Sequence, residues 1–233
     1  MNILDNEQVK RNHFNVIGGF PEAKNIKNEL KEYNGEEDLC IACTQLDSHR
    51  DYWHLTARER KKILQDWIDF LTNNPTAIKR LHFNSHVPQA LFNAACCRQN
   101  LVELRCKWGN YPDLTPLEKL DKLNFLYLGG GRVKDITPIT KLRNLAVLEL
   151  QGFRQVEDYS PLTALDKLEQ LVIFPTILSY IPMQDLEFLR DMPNLRAFST
   201  HNVTLRRKYT RNEIAALRAD LPHLLRADLP RGR

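Results

Sequence analysis

The chain repeats one phrase. Leu-Val-Glu-Leu-Arg-Cys starts at Leu101, Leu-Asn-Phe-Leu-Tyr-Leu at Leu123 and Leu-Ala-Val-Leu-Glu-Leu at Leu145. Leu-Glu-Gln-Leu-Val-Ile follows at Leu168 and Leu-Arg-Ala-Phe-Ser-Thr at Leu195, giving steps of 22, 22, 23 and 27 residues. A second phrase is locked to the first: Asp113-Leu-Thr-Pro-Leu, Asp135-Ile-Thr-Pro-Ile, Asp158-Tyr-Ser-Pro-Leu. A unit this short cannot bury its apolar face alone, so successive units must stack into a solenoid. Ile78-Lys-Arg-Leu81-His-Phe83 reads as a degenerate first unit, 23 residues before the next.

Within each unit, side chains of a strand alternate between two faces. The fourth and sixth positions point into the core, and the third, fifth and seventh point outward. Three outward columns result. The first runs Arg80, Glu103, Phe125, Val147, Gln170, Ala197; the second His82, Arg105, Tyr127, Glu149, Val172, Ser199; the third Asn84, Lys107, Gly129, Gln151, Phe174, His201. The middle of this wall is apolar and aromatic, ringed by charges of both signs. That is the composition of a protein–protein hot spot. Glu103, Arg105, Phe125, Tyr127, Val147, Glu149, Gln170, Val172 and Phe174 are therefore the candidate binding residues. The segment from Phe174 to Met183 lengthens one unit with apolar residues, and either extends this surface or folds back over its neighbour.

The flanks read as caps. In residues 1–77, Val16 to Pro21 suggests a strand and turn, Ala23 to Tyr33 a helix, and Leu39 to Thr44 a strand opening the sheet. Thr56-Ala-Arg-Glu59 is a capping box, and Ile63, Leu64, Trp67, Ile68 and Leu71 follow at helical spacing, predicting a helix over about 57–72 that shields the first unit. Units occupy 78–201. In 202–233, Thr210-Arg-Asn-Glu213 is a second capping box, and Leu221 to Leu225 resembles a final half-unit. With a cap at each end, the solenoid is expected to be complete. Pro88 to Cys97 predicts a short helix with Pro at its start, and the Thr-Pro and Ser-Pro return segments predict 3₁₀ turns.

These residues resemble the leucine-rich repeat family, in the 22-residue version of internalin-like and phosphatase-regulator-like members. The match is close from Leu101 to Phe198 and looser back to Ile78. It implies an α/β fold: a right-handed solenoid with a parallel sheet on its concave face, mostly used to bind other proteins. The ninth position, usually Asn in the family, is Gly109, Gly131, Phe153 and Thr176 here, so a continuous asparagine ladder is absent.

Chemical sites are weakly signalled. Asp113, Asp135, Asp158 and Asp185 recur once per unit, which points to a backbone-capping task repeated in each turn rather than a carboxylate array. Cys40-Ile-Ala-Cys43 and Cys96-Cys97 could supply four zinc ligands, but alternation puts Cys40 and Cys43 on opposite faces, and Cys106 takes an apolar core position. Gly129-Gly-Gly131-Arg132 lacks the Lys-Ser/Thr of a phosphate loop. Glu103 and Glu149 stand two strands apart, about 10 Å, at the limit for a glycosidase pair; a groove open to water would leave neither desolvated. No catalytic residue, cofactor or metal site is expected.

Charge and compartment complete the reading. Residues 1–77 carry ten basic against thirteen acidic residues, 78–201 fifteen against thirteen, and 202–233 eight against three. The basic end, Arg206, Arg207, Lys208 and Arg211, admits a nucleic-acid alternative, though Tyr209 is its one aromatic. The start lacks a signal-peptide pattern and no apolar run reaches the ~18 residues of a membrane span, so a cytoplasmic monomer without membrane contact is expected. The expected role is a non-catalytic scaffold gripping one protein partner on the concave face, in its most concrete form an inhibitor or immunity protein.

Overall fold

In a computed structural model, residues 4–5, 26–74, 77–130, 132–176, 179–200 and 203–229 are described. Nine strands form one sheet whose paired neighbours are parallel: β1 (Ile26–Lys27), β2 (Asp38–Ile41), β3 (Arg80–Phe83), β5 (Glu103–Cys106), β7 (Phe125–Gly129), β8 (Val147–Gln151), β9 (Gln170–Phe174), β11 (Ala197–Thr200) and β13 (Arg226–Asp228). Each of the six units read from the sequence contributes one strand. Equivalent positions lie side by side, Glu103 with Phe125, Phe125 with Val147, Val147 with Gln170 and Gln170 with Ala197. Short pairs β4 (Val87–Pro88) with β6 (Gly109–Asn110), and β10 (Ile181–Met183) with β12 (Val203–Leu205), bridge neighbouring units away from the main sheet.

The return segments are 3₁₀ turns at Thr115–Lys119, Thr137–Lys141, Ser160–Ala164 and Glu187–Asp191. The repeated aspartates start them. The Oδ1 atoms of Asp113, Asp135, Asp158 and Asp185 accept from the N–H of Thr115, Thr137, Ser160 and Glu187 at 2.8–2.9 Å. This satisfies donors that a tight turn leaves orphaned, and it accounts for an acid in every unit.

Helices take the place of 3₁₀ turns as return segments toward the two edges of the sheet. α1 (Ala57–Asn73) begins at the Thr56–Glu59 capping box and buries Ile63, Trp67 and Leu71. Trp67 is fully buried, its indole N–H donating to the Asn28 carbonyl at 2.9 Å. α2 (Gln89–Ala95) follows Pro88 and packs beside α1. α3 (Arg211–Ala219) begins at the Thr210–Glu213 box, and β13 beyond it extends the sheet past the last unit.

Some sequence expectations need correction. The helix over Ala23–Tyr33 does not form in its described part, which holds β1 and a 3₁₀ turn at Leu30–Glu32. Asn28 ties this stretch to Ala42 and Trp67, and pairing of β1 with β2 outweighs a short helix with a costly nucleus. Consequently β2 is not the outermost strand; β1 lies outside it. The strand and turn over 16–21 lie outside the described residues, as do Ile177 and His201.

Candidate functional site

The outward register holds, but the wall it forms is not uniformly open. Arg80, His82, Glu103, Arg105 and Phe125 are half-buried. Phe174 is half-buried as well, its ring 6.4 Å from that of Tyr127. Tyr127 (7% exposed), Val147, Glu149, Gln170 and Val172 are buried, Gln170 completely. The water-filled groove expected around Glu149 is therefore corrected: with 3% of its surface exposed, this carboxylate is desolvated.

At the half-open end the charges are organised. Glu103 Oε1 meets His82 Nε2 at 2.7 Å and the Arg105 Nε–H at 2.5 Å. The Arg105 guanidinium lies 3.8 Å from the centroid of the Phe125 ring. A planar cation sandwiched between a carboxylate and an aromatic face is held rigidly, an anchor of low ordering entropy. Further along, the Tyr127 hydroxyl donates to Gln151 Oε1 at 2.7 Å.

The two carboxylates of this wall titrate in opposite directions. Burial pushes Glu103 up, but hydrogen bonds from His82 and Arg105, with the Arg105 charge, hold it down at about 2. For Glu149, burial wins and raises it to about 7, with Arg105 pulling down and Glu103 pushing further up. A pair pushed apart in this way is a feature of acid–base sites. Here the low member is held in an ion pair with Arg105 and a hydrogen bond with His82; a cavity of about 240 Å³ lies between the end of β2 and α1 beside Cys43, Leu46, Arg60 and Leu64.

The other candidates are structural in their surroundings. Cys40, Cys43, Cys96 and Cys106 are free and buried, Cys97 is free and half-buried, and no group of metal-binding side chains gathers among the described residues. Burial pushes the Cys43 thiol up to about 12. In the basic C-terminal segment, Arg206 pairs with Glu157, and Arg207 with Glu187 and Glu213. Those guanidiniums are turned toward carboxylates of the chain itself. The lengthened unit folds back at its far end: Ile181 and Met183 are fully buried and pair with β12, while Tyr180 is exposed. No helix among the described residues is long and apolar enough to cross a membrane.

A parallel sheet built from units of 22 to 27 residues, four of them returning through an Asp-started 3₁₀ turn, defines the class: this is a leucine-rich repeat solenoid. One solved structure agrees on the fold, and two more are similar over part of their length. An internalin of Listeria monocytogenes is similar at 16% identity, with a TM-score of 0.55, over 89% of this chain and 59% of that one. An internalin C2 of the same species matches 54% of this chain and 52% of its own, at 23% identity and a TM-score of 0.43. A leucine-rich repeat protein of Leptospira interrogans matches 74% and 58%, at 14% and 0.43. The chain thus spans 52% to 59% of the solved chains it matches. No protein-family model matches the sequence, and no curated protein does.

Proposed function

We propose that the protein is a non-catalytic scaffold that grips a protein partner on its concave face. The observation that carries this reading is the Glu103–Arg105–Phe125 stack, a half-exposed aromatic with a rigidly held cation at the open end of the wall. Arg and aromatic side chains dominate binding hot spots because they bring large contact area at little entropic cost. The partner seats first on Glu103, Arg105 and Phe125 and runs toward Tyr127 and Phe174. Val147, Glu149, Gln170 and Val172 complete the same wall once what covers them yields.

The concrete form of this reading is a cytoplasmic inhibitor or immunity protein, monomeric when free, that covers the active site of a toxin or enzyme. The test is affinity capture from native lysate with the wild-type chain and with Arg105→Ala/Phe125→Ala. A partner retained by the wild type and lost from the variant is expected. Equal recovery of every partner by both removes the concave face from the account.

A further inference from the structure

Exposure along the concave face changes abruptly at β8. At the second position of each unit Lys79 is exposed and Val102 and Asn124 are half-buried, whereas Ala146, Glu169 and Arg196 are buried. The first column behaves alike: Arg80, Glu103 and Phe125 are half-buried, and Val147, Gln170 and Ala197 are buried. Val147, Val172 and Ala197 do not belong to the core packed between the sheet and the turns. Whatever shields them stands on the concave side.

A described residue stands there. The backbone N–H of Leu4 donates to the Glu169 carboxylate at 3.3 Å, and the Leu4 carbonyl accepts from the Arg196 guanidinium. Glu169 and Arg196 pair with each other at 2.6 Å in a site where both side chains are nearly buried. Together they hold the N–H and the C=O of one residue.

We propose that the chain's own N-terminal stretch, residues 1–25, is the resident ligand of the C-terminal half of the concave face, anchored where Leu4 meets Glu169 and Arg196. The chain length allows it. Leu4 lies at β9 and β11, and Ile26 enters β1 at the opposite edge of the sheet. Six inter-strand steps separate β1 from β9, roughly 29 Å, and the intervening residues reach about 70 Å when extended. The stretch has matching chemistry, with Ile3, Leu4, Val9, Phe14 and Phe20 available for an apolar wall.

A tethered ligand acts at an effective concentration on the order of millimolar, so any outside partner for this half must displace it. The fit leaves a flaw: among the described residues, both polar atoms of the fully buried Gln170 amide lack a hydrogen-bond partner. A displacing segment that satisfies this amide gains what the resident forfeits. The proposal holds whatever the outside partner is.

The test is a fluorescently labelled peptide of residues 1–25 titrated into the full-length wild type and full-length Leu4→Asp, followed by anisotropy. Leu4→Asp replaces an apolar side chain by a charge at the residue whose backbone Glu169 and Arg196 hold, and so loosens the resident; Leu4 is no part of the core, and thermal unfolding confirms that both chains are folded. The peptide is expected to bind the variant at least tenfold more tightly than the wild type, and the same peptide carrying Leu4→Asp is expected to lose that binding. Equal binding to both chains, no binding to either, or indifference to the change in the peptide overturns the proposal. No outside partner enters the assay, so its failure leaves the partner-binding reading untouched.

Discussion

Glu149 stands in an outward column of the sheet with only 3% of its surface exposed. The consequence is a pH dependence. Between an ordinary value of 4.5 and about 7, the folded chain keeps a proton on Glu149 that the unfolded chain has lost. Stability therefore falls as pH rises through that window, by on the order of 3 kcal/mol in all. Glu149→Gln removes this contribution. The drop in Tm between pH 5 and pH 8 is expected to be several degrees smaller in the variant, and identical drops would contradict the assignment. Gly129 gives a second prediction at this scale. A Cβ there would lie 1.8 Å from the Lys107 carbonyl oxygen, and the Gly129 carbonyl already accepts from the Tyr111 hydroxyl. Gly129→Ala must push two units apart, and a loss of about 2–4 kcal/mol in denaturant unfolding is expected. A neutral Ala would show that the units separate freely. Gln170→Leu is the converse case: it removes a buried amide with no partner among the described residues, and is expected to be neutral or stabilising in the same measurement.

Among the elements, those with local chemistry were read correctly. The strands followed from the repeat, the 3₁₀ turns from Asp-x-Thr-Pro, and α1 and α3 from their capping boxes. Failure came at Ala23–Tyr33, where local pattern suggested a helix and the neighbouring strand decided otherwise. Nothing in those residues encodes that Asn28 will meet Ala42 and Trp67, which are distant in sequence. The packing role of α1 can be checked. Trp67 is fully buried, and Trp67→Ala should cost about 3–5 kcal/mol. Because each unit of a solenoid contacts only its neighbours, the loss should be local first. In hydrogen exchange, β2 and β3 are expected to lose protection while β9 and β11 keep theirs; uniform loss would mean that the whole array unfolds as one.

Taken whole, the molecule is a ladder of parallel strands whose two halves differ. The outward wall of the N-terminal half presents Arg105 and Phe125 in a fixed stack, and that of the C-terminal half is buried. The repeat made the wall readable, since equivalent positions must fall into columns. The asymmetry was not readable: Leu4 meets residues of the fifth and sixth units, and nothing in its local sequence encodes that contact. The most direct test places a photo-cross-linking amino acid at position 125, with position 141 in a 3₁₀ turn as the control, and activates both chains in native lysate. A concave-face scaffold predicts a discrete adduct with one partner from position 125 and none from position 141. An adduct from position 141 alone would put the binding surface on the opposite side of the solenoid and contradict the account.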